Sequence, residues 1–209
     1  MPPDALPARL ILASSSTYRQ QMLQRLMLPF EAISPDVDET PLPNEAPVSL
    51  AKRLALAKAR AVKKSILAPT IVIGADQVLE LHGQPMGKPG NRARAKQQLL
   101  QLSGQCVTFH SALAVVSQTE DQLAVSACQV TFRELTPAQI DRYLYLETPF
   151  DTAGSAKAEG LGIALLASLQ STDPTAIIGL PLIELTRMLA KAGMDPLDFA
   201  SLSHLQATP

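Results

Sequence analysis

The chain has 209 residues, 46% of them hydrophobic, which is enough for a substantial core and favours a single domain. Its 18 Lys and Arg residues nearly balance 19 Asp and Glu, so the net charge of −1 excludes a global attraction to nucleic acid or to an anionic membrane. No apolar run approaches about 18 residues, no signal-peptide pattern is present, and Cys106 and Cys128 match no metal or redox spacing.

These properties predict a soluble, cytoplasmic protein with two reduced core cysteines and neither nucleic acid nor membrane as a partner. We expect one domain over residues 1–209, with an ordered core from about residue 9 to about residue 197.

The chain begins with a predicted strand, a hydroxyl-rich turn and a helix. The strand is Arg9–Ala13, the turn is Ser14–Thr17, and apolar spacing predicts a helix over Tyr18–Met27. Turn hydroxyls can cap a helix, whose free N–H groups favour an anion. Arg19 lies in the first turn, where the helix dipole disfavours a cation unless a phosphate compensates. The alternative is a capped surface helix with a solvated arginine.

A short strand over Phe30–Ile33 is followed by an acidic, proline-rich loop. Its carboxylates Asp36, Asp38 and Glu39 are either solvated or hold a hard cation through oxygen ligands.

A long basic helix is predicted next, over Val48–Leu67. Most of its cations should form a solvated face. One or two of them, with Lys52 or Lys58 favoured, could turn toward an anion near the active cleft.

The segment from Ile71 to Pro89 carries the strongest chemical signal. Three β-branched residues predict a buried strand, yet Asp76 interrupts the apolar run. Because an unpaired buried carboxylate is costly, we expect Asp76 at an open strand end, facing a cation or water. Lys88 follows between Gly87 and Pro89. Such a carboxylate and ammonium can handle phosphate and a divalent metal; alternatively, Asp76 caps a turn and Lys88 is solvated.

The rest of the chain predicts helices, a hairpin and a glycine-rich loop. In chain order these are a helix over 91–102, strands over 107–116 and 123–132, a helix over 136–146, a loop over 150–163, a strand over 163–169 and a helix from 181. The loop sets Lys157 and Glu159 among three glycines, which is more typical of a ligand wall than of a connector. The tail from Asp195 is predicted to be weakly structured.

Set in order, seven short motifs resemble the Maf nucleotide pyrophosphatases over about residues 10–197. They are A-S-S-S-T-Y-R, V-D-E-T, G-A-D-Q, G-K-P, L-S-G, A-G-S-A-K-A-E-G and G-L-P-L. The resemblance implies an α/β fold with an elongated mixed sheet flanked by helices, in two lobes around a central cleft, akin to the inosine triphosphatases. It also implies metal-dependent hydrolysis of a nucleoside triphosphate to the monophosphate and pyrophosphate.

Two departures from the commoner pattern of that family bear on the substrate. Tyr18 stands where an arginine is usual, and Gln77 where a threonine is usual. With the A-G-S-A-K-A-E-G loop, this is similar to the subfamily that hydrolyses 7-methyl-GTP, which implies Tyr18, Gln77 and Glu159 as specificity positions and Asp76 as the catalytic acid. Tyr18 could stack on the cationic base, or simply pack its helix. Glu159 could accept the two donors of the guanine edge.

The expected site combines these residues. The predicted ligands of Mg²⁺ or Mn²⁺ are Glu39 and Asp76, with Lys88 completing the catalytic set, and the expected triphosphate contacts are Ser14, Ser16, Arg19 and Lys52. Asp76 is expected to orient or deprotonate the attacking water.

Two other functions remain open from the sequence. One is a pyrophosphatase for dTTP or UTP, or a general one for non-standard nucleotides. The other is a non-catalytic, nucleotide-sensing regulator of cell division. A homodimer is expected only from the family.

Overall fold

The computed structural model describes residues 7–66 and 68–200, in which seven strands form one mixed sheet. The strands are β1 (Arg9–Ala13), β2 (Glu31–Ile33), β3 (Thr70–Leu81), β4 (Gln84–Met86), β5 (Cys106–Val116), β6 (Asp121–Phe132) and β7 (Leu166–Ser171). The helices are α1 (Thr17–Gln24), α2 (Pro47–Lys64), α3 (Arg92–Leu102), α4 (Pro137–Leu146), α5 (Leu182–Lys191) and α6 (Pro196–Phe199), with 3₁₀ turns at Ala153–Ser155, Leu161–Leu165 and Ala176–Ile178.

The strand order is β2-β1-β3-β5-β6-β7, with β4 added to the free edge of β3. β1 is parallel to β2 and β3, whereas β3, β5, β6 and β7 are successively antiparallel. The predicted α/β fold with a mixed sheet flanked by helices is confirmed.

β3 is longer than the strands that cover its outer edge, and this leaves a gap in the sheet. β1 pairs with β3 only as far as Gly74, and β4 pairs with it only from Leu79. Between these points β3 pairs with β5 alone. Asp76 and Gln77 lie in this gap. The sequence prediction of an open strand end is therefore wrong in position, because the opening is in the middle of the strand.

Two hydrophobic clusters lie on one face of the sheet and divide the molecule into two lobes. The first packs α1 and α5 against β1 and the first half of β3, and the second packs α3 and α4 against the far half of β3. Gln77 and its cross-strand partner Ser111 lie between the two clusters. The predicted cleft thus lies in the space between the two hydrophobic clusters.

The other face of the sheet is covered by α2, which approaches very closely. A Cβ on Gly74 would lie 2.1 Å from the carbonyl oxygen of Ala55 and 2.9 Å from the Cβ of Ala59. Only a glycine facing two alanines permits this contact. It sets the depth at which Lys58, on the same helix, reaches the sheet.

Several predicted elements differ from the structure. The first helix ends at Gln24 rather than Met27, and the long helix ends at Lys64, with Leu67 outside the described residues. The last strand begins at Leu166, since a 3₁₀ turn occupies Leu161–Leu165.

Two predictions of burial and order also fail. A short helix capped by Asp195 replaces the weakly structured tail as far as Phe199, and the residues after 200 lie outside the described part. Cys128 is buried as predicted, but Cys106 is exposed at the start of β5.

Candidate active site

The gap in the sheet opens into a cavity of about 660 Å³ between the two lobes. Its charged lining residues are Arg19, Glu39, Lys58, Asp76, Lys88, Asp151 and Glu159. Ser14, Ser16, Tyr18, Gln77 and Thr152 also line it. Of the predicted site residues, the structure therefore brings all but one into a single cavity.

Lys52 is the exception, and the structure corrects its predicted role. Its side chain is exposed and does not line the cavity. Lys58 occupies the cavity instead, although the sequence named both lysines as candidates. The two residues are six positions apart on α2, about 240° around the helix axis, so they cannot face the same side.

Lys58 joins the two carboxylates of the cavity. Its Nζ lies 2.6 Å from Oδ1 of Asp76 and 2.6 Å from Oε1 of Glu39. The lysine and aspartate side chains are both more than 90% buried, whereas the glutamate is exposed. An aspartate on a buried strand is stable here because the ammonium lies against it.

Each carboxylate keeps its second oxygen available. Among the described residues, neither Oδ2 of Asp76 nor Oε2 of Glu39 accepts a hydrogen bond. Both side chains line the cavity, so these oxygens can receive a proton or ligate a cation.

The same surroundings shift the pKa values of the two groups in opposite directions. Burial raises the pKa of Asp76, although Lys58 and Arg19 oppose the rise, and the charge of Glu39 adds to it. Burial also acts to raise the pKa of Glu39, but Lys58, Lys88 and Arg19 outweigh it and lower the pKa overall. Asp76 is thus the carboxylate better suited to take up a proton.

The start of α1 supplies hydrogen-bond donors to the cavity. Ser16 is the N-cap, and its Oγ accepts the N–H of Arg19 at 3.4 Å. Ser14 Oγ accepts the N–H of Ser16 at 3.1 Å. The N–H groups of Thr17 and Tyr18, in the first turn, have no acceptor among residues 7–66 and 68–200. This arrangement can bind an anion.

Two cations face this end of the cavity. Arg19 is fixed by a hydrogen bond from its Nε to the carbonyl oxygen of Gly179 at 3.0 Å, which leaves the rest of its guanidinium for a ligand. Lys88 is exposed on the loop after β4. Gln98 anchors that loop by donating to the carbonyl oxygen of Gly87 at 2.9 Å.

The glycine-rich loop forms the opposite wall and is organised by an ion pair. Lys157 lies 3.0 Å from Glu147, and added Cβ atoms at Gly160 and Gly162 would meet the Glu147 carboxylate and the Lys157 backbone respectively. The loop presents Glu159 to the cavity. Although Glu159 is exposed, partial removal from water raises its pKa, and the charges of Glu147 and Asp151 add to the rise.

Tyr18 lines the cavity but is not free on both faces. The Nζ of Lys157 lies 5.1 Å from the centroid of its ring, within the range of a cation–π contact. A stacked cationic base would therefore use the face that Lys157 leaves open.

Gln77 is held by main-chain acceptors. Its Nε2 donates to the carbonyl oxygens of Ala176 and Ile177 at 2.9 and 3.0 Å, and it lies 2.9 Å from Ser111 Oγ. The sequence predicted Gln77 at the site but gave no sign of these partners, which lie about 100 residues further along the chain.

The acidic pair is a suitable site for a hard divalent cation, although it is an incomplete one. Asp76 and Glu39 are held side by side through their contacts to Lys58, and carboxylate oxygens are the ligands that Mg²⁺ and Mn²⁺ prefer. No group of three or more His, Cys, Asp or Glu residues suited to a metal occurs in the described part of the chain. A cation here would need oxygen ligands from a substrate or water.

Comparison with known proteins agrees with this architecture. Residues 9–192 match the family described as Maf-like protein. A protein from Bordetella avium, named 7-methyl-GTP pyrophosphatase, is 64% identical over 192 residues, which cover 90% of this chain and 95% of the relative. A protein of the same name from Polaromonas sp. is 55% identical over 187 residues, covering 88% and 85% of the two chains.

Solved structures support the fold alone. The Ham1 protein of Staphylococcus aureus superposes with a TM-score of 0.52 at 16% identity, covering 88% of this chain and 99% of that one. A HAM1 protein from Coxiella burnetii gives 0.50 at 18% identity over the same shares. None of the described helices has the length and apolar character needed to cross a bilayer.

Proposed function

The chain belongs to the Maf family, and we propose that it hydrolyses 7-methyl-GTP to 7-methyl-GMP and pyrophosphate, as a house-cleaning enzyme for non-standard nucleotides. The observation that carries the proposal is the buried Asp76, paired with Lys58 in a cleft that Arg19 and Lys88 also line. Cleavage of a phosphoanhydride needs a group that activates the attacking water and cations that neutralise the phosphate charge. This cleft contains both.

Asp76 acts as the general base in this proposal. Lys58 orients its carboxylate through Oδ1 and leaves Oδ2 to accept a proton from the attacking water. The raised pKa of Asp76 makes it a stronger base than a solvated aspartate, whose pKa is about 3.9.

Arg19, Lys88 and the start of α1 bind the triphosphate. The guanidinium and the ammonium neutralise its oxygens, and the free N–H groups after Ser16 donate to them, with Ser14 holding the turn. Glu39 holds Lys58 from the solvent side.

A divalent cation is part of the proposal. Glu39 would hold Mg²⁺ or Mn²⁺ through Oε2 and Asp76 through Oδ2, whose two lone pairs leave one for the cation and one for the proton of the water. The cation would neutralise phosphate charge as a Lewis acid. The cleft supports this requirement because its three cations are outnumbered by four carboxylates.

The base is proposed to lie against Tyr18, Gln77 and Glu159. Glu159 accepts hydrogen bonds from the guanine edge, and the open face of Tyr18 stacks on the cationic ring, a contact of about 0.5–2 kcal/mol. Relatives named 7-methyl-GTP pyrophosphatase at 53–64% identity do not favour the dTTP or UTP enzyme or the non-catalytic regulator. A cytoplasmic location and a homodimer are the remaining parts of the proposal.

The test is pyrophosphate release from 7-methyl-GTP, GTP, dTTP and UTP in the presence of Mg²⁺. Asp76→Asn should abolish release, while Asp141→Asn, which changes a partly exposed carboxylate of α4 outside the cavity, should not change it. Preference for dTTP or UTP would overturn the proposed substrate. Nucleotide binding without turnover would overturn the enzyme proposal in favour of a regulator.

A further inference from the structure

The hydrogen bonds of Gln77 fix which end of its side-chain amide faces the cavity. Carbonyl oxygens accept hydrogen bonds and do not donate them, so the atom that contacts Ala176 and Ile177 must be the nitrogen. Ser111 cannot reverse this orientation, because its hydroxyl donates to the same Ala176 oxygen at 2.6 Å. A flipped amide would place its oxygen against two carbonyl oxygens.

The amide oxygen of Gln77 is therefore the atom left for a ligand. Among the described residues it has no hydrogen-bond partner, and it is not among the buried side-chain atoms that lack one. Gln77 lines the cavity, as does Glu159, whose carboxylate when ionised also accepts and never donates.

We propose that the segment 173–182, held by Asp173 and Thr175, positions Gln77 so that its Oε1 accepts a hydrogen bond from the base of the substrate and forms, with Glu159, a wall of hydrogen-bond acceptors. This inference rests on the proposed function and specifies its base recognition. The edge of guanine with N1–H and the 2-amino group offers adjacent donors to such a wall. Thymine offers a single N–H between two carbonyl oxygens, which would lie against acceptors.

A buried pair of polar side chains holds this acceptor in place. Asp173 and Thr175 are 2% and 7% exposed, and Asp173 Oδ1 accepts the N–H and hydroxyl of Thr175 at 2.9 and 2.6 Å. The Thr175 hydroxyl in turn contacts the carbonyl oxygen of Leu180 at 3.0 Å and accepts the N–H of Leu182 at 2.7 Å. These contacts close the segment 173–182 into one fixed turn.

The turn over residues 173–182 packs against both lobes beside the cavity. Ala176 packs in the cluster of α3 and α4, whereas Leu180 packs in the cluster of α1 and α5. Between them, carbonyl oxygens hold Gln77, and that of Gly179 holds Arg19. Thr175 and Asp173 are thus positioning residues for a base contact and a phosphate contact at once.

The test compares kcat/KM for 7-methyl-GTP, GTP and dTTP, or inhibition constants where turnover is too slow. Gln77→Met should lower the values for 7-methyl-GTP and GTP by about tenfold each relative to the value for dTTP, because only the guanines lose a hydrogen bond. The value for dTTP should not fall with them, since thymine loses only an acceptor that faced its carbonyl oxygens. The ratio of kcat/KM for 7-methyl-GTP to kcat/KM for GTP should stay constant.

Thr175→Val and Thr175→Ser test the positioning. The valine keeps the shape and loses the hydroxyl, so discrimination between 7-methyl-GTP and dTTP should fall severalfold, whereas the serine should retain it. A purely structural role would reduce the active fraction for all substrates equally and leave the ratio unchanged.

The inference is overturned if Gln77→Met leaves guanine substrates unaffected, or lowers all three nucleotides alike. The positioning role is overturned if Thr175→Val keeps the wild-type ratio. Failure of the proposed function is distinct, since the wild type itself would then release no pyrophosphate from 7-methyl-GTP.

Discussion

At the scale of single residues, the chemistry depends on a lysine that touches two carboxylates. Lys58 is buried with Asp76 and lies 2.6 Å from it. Removing one partner of a buried pair leaves an uncompensated charge, so the effect on Asp76 should be large.

We predict that Lys58→Met lowers kcat for 7-methyl-GTP by about a hundredfold. Lys52→Met is the matched control, because it removes the same charge from an exposed position on the same helix. It should change kcat less than about twofold, within the small effect of a solvated charge. The measurement is steady-state kinetics of the two variants. An equal loss of kcat in both would contradict the role assigned to Lys58.

The raised pKa of Asp76 predicts the shape of the pH profile. Activity requires the ionised form, so kcat/KM should fall as the pH drops through a pKa above the usual range for aspartate. Lys58 lowers that pKa, and Lys58→Met should therefore move the acidic limb to higher pH. The pH dependence of the residual activity of Lys58→Met tests this. An acidic limb that stayed at the wild-type pH, or moved to lower pH, would refute the coupling between Lys58 and Asp76.

The sequence could predict residues that break a local pattern but not those whose role depends on distant contacts. Asp76 stood out because it interrupts an apolar strand, and Lys88 because it lies between a glycine and a proline, two residues that mark a turn. Lys58 is one of six cations on a basic helix, and only its rotation about the axis separates it from Lys52. Gln77 obtains its orientation from carbonyls about 100 residues away, which no local pattern reveals.

At the scale of elements, the contact between α2 and β3 decides where Lys58 lies. The helix reaches the sheet over Gly74, where a Cβ would overlap the backbone of α2. Backbone atoms cannot move aside as a flexible side chain can, so the whole helix would have to shift.

We predict that Gly74→Ala destabilises the protein by about 1–3 kcal/mol and also lowers kcat, because α2 would carry Lys58 away from Asp76. Denaturant unfolding measures the first effect. For stability, Gly87→Ala is the control, since a Cβ there meets no atom within 4 Å; it should cost less than about 0.5 kcal/mol. Equal stability of the two variants would show that the close contact is not needed.

Elements with strong local signals were predicted well, and those shaped by tertiary contacts were not. The hairpin of β5 and β6, and the helix capped by Thr136, lie within a few residues of their predicted bounds. The strand predicted from Ile163 fails because Leu161 donates its N–H to Glu147, which holds the chain in a 3₁₀ turn as far as Leu165.

At the scale of the whole molecule, the cleft lies between two cores that share one sheet. Its walls come from α1, α2, the loop after β4, the glycine-rich loop and the turn before α5. A ligand that contacts these segments together should stabilise the folded state as a unit, because it binds the native protein and not the unfolded chain.

The charges of the cleft predict that this stabilisation requires a divalent cation. With three cations and four carboxylates, the cavity has a net negative charge when all are ionised, and a triphosphate is itself highly anionic. We therefore expect the nucleotide to raise the free energy of unfolding substantially only when Mg²⁺ or Mn²⁺ is present. Glu39→Gln, which removes one carboxylate of the acidic pair and keeps its shape, should weaken the dependence on the metal.

The measurement is a denaturant melt with an analogue of 7-methyl-GTP whose α- and β-phosphates are joined by a methylene group, so that the wild type binds it without consuming it. At about 100 times Kd, binding to the native state alone should add about 2.7 kcal/mol to the free energy of unfolding. A chelator should remove most of that gain, added Mg²⁺ or Mn²⁺ should restore it, and in Glu39→Gln the restored gain should be smaller. If the analogue stabilises the chelated protein as strongly as the metal-loaded one, then Arg19, Lys58 and Lys88 neutralise the triphosphate without help, and the acidic pair serves only to hold Lys58 beside the reacting water.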